Sequence, residues 1–221
     1  MGKLKNFVTS LHLKTKRDYL GRMKNNKVFC MSISKKYGYE YWDGNRRYGY
    51  GGYKYIPGRS KGVAKKLIRT YKLTNNSSIL DIGCGKGYLL YEIKKILPKI
   101  NIHGFDKSSY AIKKSKPEVK KYLKKFDARK KTYFKNKHFD LTISLGCLHN
   151  LKLFELENTI KEINRISKKS YVMVESFKTN QELFNLQCWA LTCETFLTPA
   201  DWKWLFKKFK YKGDYEFIYF Q

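Results

Sequence analysis

An acidic residue, Asp81, ends the apolar run Ile79-Leu80, and three glycines follow at alternate positions: Gly83, Gly85 and Gly87. Without a Cβ, a strand-to-helix turn of this composition can pass very close to a ligand. Spacing narrows the choice of ligand. A phosphate loop of the G-x-x-x-x-G-K-[ST] kind needs a hydroxyl after its lysine, whereas Gly87 follows Lys86 here and Leu80 stands where the first glycine should be. A dinucleotide turn, G-x-G-x-x-G, needs a third glycine where this chain has the bulky Tyr88. Both readings fail on single residues.

Further carboxylates follow at informative places. Asn101-Ile102-His103-Gly104-Phe105-Asp106 reads as a buried strand ending in an acid, about 20 residues beyond the turn, where a ribose is gripped in nucleotide-binding sheets. One carboxylate there can accept from both ribose hydroxyls. Phe126-Asp127-Ala128 follows, then the apolar strand Phe139 to Leu145 with Gly146-Cys147-Leu148-His149-Asn150 after it, then Tyr171-Val172-Met173-Val174-Glu175.

Asp81 to Gly87 resembles motif I of the class I S-adenosylmethionine-dependent methyltransferases, and the downstream pieces repeat that family's order over residues 60–220. The resemblance implies S-adenosylmethionine as cofactor, with S-adenosylhomocysteine as the spent product. It implies a cofactor site of Asp81, Gly83, Cys84, Gly85, Gly87, Asp106, Lys107 and Ser108 on the first two strands. Asp127 and Ala128, expected at the adenine amino group, and Leu145 and Gly146, expected near the transferable methyl, complete it.

Methyl transfer from a sulfonium is a displacement in which the protein mainly positions the partners, and a hydroxyl acceptor also needs a base. His149 is the first candidate, on the loop after the fourth strand and with an ordinary pKa near 6.5. Its plainer alternative is a hydrogen bond to a neighbouring loop. Glu175, at the carboxyl end of the fifth strand, is the second, with a structural pairing to lysine as its alternative. Glu194 is the third.

Acceptor contacts are expected from what is added to the core. Residues 37–59 interleave Trp42, Tyr48, Tyr50 and Tyr53 with glycines and are read as a lid over the pocket, without regular structure. Arg59 or Arg46 is then available for the methionine carboxylate or an anionic acceptor. Asn150 joins the substrate contacts, and Trp189, Glu194, Trp202 and Trp204 are read as the opposite wall, with core packing as the alternative for Trp202 and Leu205 at helical spacing. A tyrosine-rich disordered tail and an aromatic strip for single-stranded RNA are the competing readings of this segment.

These residues need a scaffold, and the pattern supplies one. Apolar runs at 77–82, 100–106, 124–127, 139–145 and 170–176 alternate with helical patterns at 87–97, 108–116 and 153–167, and a terminal strand lies at 215–220. The fold class is α/β: a Rossmann-like, doubly wound, mostly parallel sheet of six or seven strands. Residues 1–59 form an N-terminal extension acting as lid, with helical turns from 11 to 23, and residues 60–221 form the methyltransferase domain. Relatives of this class usually end in an antiparallel strand pair, of which one strand is legible here.

Composition bounds the rest. The chain has 221 residues and a formal charge of +29, but 39 of its basic residues are lysine and eight arginine, spread over almost every segment. That pattern fits a solvated basic surface better than a phosphate-reading groove, which favours arginine. Five cysteines without a C-x-x-C pair suggest reduced thiols, no metal and a cytoplasmic setting. No stretch is long and apolar enough to span a membrane. The Trp42-Asp43-Gly44 and Tyr48-Gly49-Tyr50-Gly51-Gly52-Tyr53 segment resembles that of a bacterial methyltransferase group associated with surface-glycan or sugar-nucleotide pathways, and that resemblance implies methylation of a hydroxyl or amine on a small, carbohydrate-like molecule. The alternatives are an RNA methyltransferase using the basic surface and a cofactor-binding partner protein without catalysis.

Overall fold

A computed structural model describes residues 1–50 and 53–221; Gly51 and Gly52 of the tyrosine-rich segment lie outside the described residues. The chain begins with α1 (Thr9–Leu13), α2 (Tyr19–Lys24), α3 (Lys27–Ser34), α4 (Tyr39–Trp42) and α5 (Lys61–Tyr71). Alternation follows: β1 (Ser78–Ile82), α6 (Tyr88–Ile96), β2 (Asn101–Asp106), α7 (Ser109–Lys113), α8 (Pro117–Lys120) and β3 (Leu123–Lys125). The second half contains β4 (Phe139–Leu145), α9 (Leu153–Ile166), β5 (Ser167–Glu175), α10 (Asn180–Trp189), α11 (Pro199–Lys208) and β6 (Asp214–Ile218).

The six strands lie in the order β3-β2-β1-β4-β5-β6, and every neighbouring pair is parallel. Both faces are covered, which is why the strands read as near-continuous apolar runs. Leu80, Phe139, Val172 and Val174 pack on one side with Ile160, Ile163, Trp202 and Phe206 of α9 and α11. Ile79, Ile102, Leu141 and Ile143 pack on the other with Leu67, Leu90 and Ile93 of α5 and α6. The strand order reverses between β1 and β4, and the crevice at their carboxyl ends is where ligands bind in such sheets.

Local chemistry sets the element ends. Thr179 and Thr198 accept the N–H of Glu182 and Asp201 to start α10 and α11, and Pro199 occupies the first position of the latter. The 37–59 segment departs from the glycine-based expectation, because α4 and a 3-10 turn at Arg46–Tyr48 form within it. Tertiary contacts of the tyrosines, described below, override local preference there.

The far edge of the sheet differs from the expected antiparallel pair. β6 pairs with β5 in parallel, and the start of the chain covers its outer side: Leu4 bridges Tyr215, and Gly2 N–H donates to the Gly213 carbonyl at 2.9 Å. Glu216, only 1% exposed, reaches from β6 into the first turn of α1. Its carboxylate accepts the N–H groups of Phe7 (2.6 Å), Val8 (2.9 Å) and Thr9 (2.6 Å), and the hydroxyls of Thr9 and Tyr171. A buried carboxylate is stable only when satisfied in this way, and here its partners are the backbone of the N-terminal segment.

Glu216→Gln puts a donor amide against those N–H groups. The expected loss is about 3 kcal/mol of stability, read as a lower urea midpoint, with faster hydrogen exchange at Phe7, Val8 and Thr9.

Candidate active site

The glycine turn follows β1 directly. Gly83 and Gly85 adopt φ of +81° and +54°, a region that L side chains rarely adopt. A Cβ on Gly83 would lie 2.6 Å from the Cβ of Cys147, and one on Gly85 would lie 2.9 Å from the Trp42 ring. The Gly83 and Cys84 N–H groups both donate to the Phe105 carbonyl, at 2.7 and 3.0 Å, which locks the turn to the end of β2.

Asp106 completes that lock. One of its oxygens accepts the Gly85 N–H and the other the Ser108 N–H, each at 2.8 Å. Each oxygen keeps a second lone pair for a ligand. Burial raises its pKa, while the two backbone donors and Lys107 oppose the rise. Asp81, beneath the turn, is pushed up to about 7 by burial and then by the Asp106 charge.

The turn forms one wall of a cavity of about 780 Å³, within the range that holds a drug-sized ligand. Gly83, Cys84, Gly85, Asp106, Lys107, Asp127, Ala128, Leu145, Gly146 and Arg59 line it, as do Trp42, Tyr50, Tyr53, Asn150, His149 and Glu175. Five sequence-predicted residues are absent from that wall. Asp81 is buried in β1, and the side-chain direction of Gly87 is filled by Leu123 and Val119. Ser108 caps α7, accepting the Ala111 N–H at 3.0 Å. Tyr48 stacks edge-on against Phe29, and Glu194 is tied to Lys35 at 2.6 Å on the outside. Asp127 carries a constraint that the sequence did not show: Arg129 engages both its oxygens, lowers its pKa, and bridges to Glu155 at 2.8 Å.

The tyrosine-rich segment packs onto the turn. The Trp42 indole N–H donates to Ser108 Oγ (2.8 Å) and to the Tyr37 carbonyl (3.1 Å), so its polar edge is already engaged. Asp43 pairs with buried Lys86 of the turn at 2.6 Å and accepts the Tyr110 hydroxyl at 2.9 Å. Tyr88 donates to the Tyr53 carbonyl at 2.8 Å, and the Tyr50 hydroxyl accepts the N–H groups of Leu191 and Thr192 at 2.6 and 3.0 Å. Tyr37, Tyr41, Trp42, Tyr50 and Tyr53 contact one another through their rings.

At the other end of the cavity, His149 and Glu175 meet. His149 Nδ1 accepts the Glu175 backbone N–H at 3.2 Å, which places the ring proton on Nε2, 3.4 Å from a Glu175 carboxylate oxygen. Burial holds His149 down at about 3 and lifts Glu175 to about 7, with Arg17 opposing the lift. The contact is therefore between a neutral imidazole and a carboxyl group that titrates near neutrality. Sequence order ranked His149 first as a base, but its acceptor nitrogen is filled. Glu175 is the group with proton-accepting capacity left.

The sequence reading also missed Arg17 and His12, which line the same end. No spacing rule links residues 12 and 17 to a strand end 160 residues later; only the docking of α1 on β6 does. Among the described residues no His, Cys, Asp and Glu cluster could hold a metal, and no helix is long and apolar enough to cross a membrane.

Residues 73–212 match a family model described as a methyltransferase domain. A curated relative, "Putative methyltransferase 235L" of Invertebrate iridescent virus 6, is 24% identical over 152 residues, covering 63% of this chain and 54% of that protein. The chain thus spans about half the length of the curated relative it matches. Among solved structures, a "putative methyltransferase" from Bacillus halodurans C-125 superposes with a TM-score of 0.54 at 16% identity, over 66% of this chain and 67% of that one. The YcgJ protein of Bacillus subtilis superposes with a TM-score of 0.52 at 14% identity, over 66% of each chain. Both share the fold.

Asp43→Asn leaves Lys86, whose side chain is 4% exposed, without its counter-charge. Because Asp43 itself is partly solvated, the expected cost is about 2 kcal/mol. Urea denaturation reads the loss, and limited proteolysis should cut residues 37–50 faster in the variant.

Proposed function

This chain belongs to the methyltransferase-domain family, and on that premise we propose that it transfers a methyl group to a hydroxyl or amine of a small polar, carbohydrate-like acceptor. Its cofactor is S-adenosylmethionine, which when bound supplies a sulfonium-activated, electrophilic methyl. The observation that carries the proposal is a single cavity with Gly83, Gly85 and Asp106 at one end and Glu175 at the other.

The residues present suit that cofactor. Asp106 has two oxygens fixed by backbone donors, each with a lone pair left for a ribose hydroxyl. Gly83, Gly146 and Leu145 leave room beside the β1 and β4 ends, and Arg59 is available for a carboxylate. Asp127, steadied by Arg129, keeps acceptor capacity for an exocyclic amine. Residues 37–59 act as the lid: Trp42, Asp43 and Tyr53 join the two sides and exclude water from the reacting end.

Glu175 takes the proton from the acceptor. Its carboxyl group, lifted by burial, has a basicity suited to neutral pH. His149 is a positioning residue: its Nδ1 fixes the Glu175 backbone and its Nε2–H faces the Glu175 carboxylate. Tyr37, Tyr50 and Trp189 offer flat, polar-edged walls against which a sugar-like ring can lie.

Methylation of RNA is the second reading, supported by the +29 charge and by a cleft beside the cavity mouth lined with Lys16, Arg22, Arg46 and Arg47. Affinity for an RNA oligomer that falls steeply with salt would favour it. An inactive partner protein is the third, and the intact glycine turn and Asp106 weigh against it.

Two measurements test the proposal. Calorimetry should register S-adenosylhomocysteine binding that weakens at least tenfold in Asp106→Asn, and labelled methyl should pass into a metabolite extract. Absence of both overturns it. For the base, the carboxylate form accumulates only above about pH 7, so kcat/KM should rise with pH through that value. Glu175→Gln should remove this limb and lower kcat by about 100-fold or more, with S-adenosylhomocysteine binding retained.

A further inference from the structure

Arginine is scarce in this chain: eight residues against 39 lysines. Where charge alone is wanted the chain uses lysine, so an arginine marks a position that needs the planar fork. Arg129 and Arg165 have structural partners in Asp127, Glu155 and Glu162. Four others, Arg17, Arg22, Arg46 and Arg47, converge at the junction between the main cavity and the adjoining cleft of about 440 Å³. None of the four has a carboxylate within ion-pair distance among the described residues.

Trp189 is the centre of the group. The guanidinium carbons of Arg22, Arg17 and Arg46 lie 4.2, 5.6 and 6.0 Å from the centroid of its ring. Trp189 belongs to both the cavity and the cleft, as does Arg46. The three cations do not share one role. Arg22 braces backbone, donating to the carbonyls of Gly49 (2.8 Å), Arg46 and Arg47 (3.4 Å each). Arg46 makes no hydrogen bond of its own side chain among the described residues and is exposed.

Arg17 is held but incompletely used. It donates to the Thr15 carbonyl at 2.9 Å and to His12 Nδ1 at 3.0 Å. His12 Nε2 must in turn donate to the Tyr219 carbonyl at 2.8 Å, so the His12 ring is neutral and Nδ1 is free to accept from Arg17. The Arg17 Nε–H is buried and has no hydrogen-bond acceptor among the described residues. A buried donor left without an acceptor is costly, and one aimed at a ligand site acquires its acceptor on binding. The carboxylate facing this cluster is Glu175, beyond ion-pair distance and assigned above to the acceptor's proton. Asp18, in the cleft, is engaged as the α2 cap, accepting the Gly21 N–H at 2.8 Å.

We infer that the acceptor carries a compact anionic group, a phosphate or a carboxylate, which docks between Arg17 and Arg46 against Trp189 while its nucleophilic atom reaches Glu175. The inference rests on the methyl-transfer reading of the same cavity and narrows its substrate class. A small molecule fits better than a polymer, because His149 and Glu175 are buried behind the tyrosine wall, with side chains 4% and 14% exposed. The cleft lined by Lys16, Arg22, Arg46 and Arg47 then serves as the electropositive approach to the mouth.

The test uses the full chain loaded with S-adenosylhomocysteine, the binding of which is measured first by calorimetry. Inorganic phosphate and succinate are then titrated separately into wild type, Arg17→Gln and Arg46→Gln. Saturable binding of one probe, weakened at least tenfold in each variant with S-adenosylhomocysteine affinity unchanged, is the expected result. The probe bound more tightly identifies the anion. The Arg46 side chain is exposed and makes no hydrogen bond among the described residues, so Arg46→Gln carries the test even if Arg17→Gln fails to fold. Equal probe binding in wild type and Arg46→Gln overturns the anion site and leaves the methyltransferase reading standing. A short single-stranded RNA that binds more tightly than either probe, and loses that affinity in Arg46→Gln, overturns the small-molecule acceptor. No heat with S-adenosylhomocysteine overturns the cofactor reading, and this inference falls with it.

Discussion

The Asp106 carboxylate is the tie on which the site depends. Its two oxygens hold the Gly85 and Ser108 N–H groups, so one side chain fixes the turn after β1 and the start of α7 together. Ser108 then passes the constraint outward, accepting from the Trp42 indole and donating to the Tyr37 carbonyl at 2.6 Å. The carboxylate expected to grip a ribose thus also sets the distance between the sheet and the segment covering it. Such dual use is economical in a small domain, where few buried charges can be satisfied.

Lysine and arginine divide the work of positive charge. Most lysines are solvated, but Lys86 is buried against Asp43 and Lys27 donates to the Cys188 carbonyl. Burial, reinforced by Arg22, lowers Lys27 to about 8. His12 is driven down to about 4 by burial and by Arg17. Burial sets both shifts first, and a neighbouring arginine adds to each. At physiological ionic strength the distant surface charges are screened within about 8 Å, so Arg17 and Arg46 in the cavity wall act on a ligand there more strongly than the surface lysines do.

The sheet was legible in the sequence because burial on both faces turns each strand into a continuous apolar run, broken by glycine or acid at its ligand end. Asp106 and Glu175 could be placed from that rule alone. Three things could not. The all-parallel edge depends on residues 2–9 meeting residues 213–216, a pairing across the whole chain that no local pattern encodes. The short helix Tyr39–Trp42 is made by ring packing among tyrosines rather than by propensity. The contact between His149 and Glu175 hinges on one backbone N–H filling one ring nitrogen, a matter of a few ångströms beyond the reach of spacing. Gly87, expected at the cofactor from the motif, lies against Leu123 and Val119, so a signature glycine can also serve packing.

Glu216 joins residues 7–9 to β6. During synthesis the Phe7, Val8 and Thr9 amides have only water to donate to until residue 216 emerges, so α1 stays undocked until then. His12 and Arg17, which line the end of the cavity holding Glu175, therefore reach their places only once residues 216–219 are in place. A chain cut short of β6 can have the glycine turn and Asp106, yet it leaves that end of the cavity open.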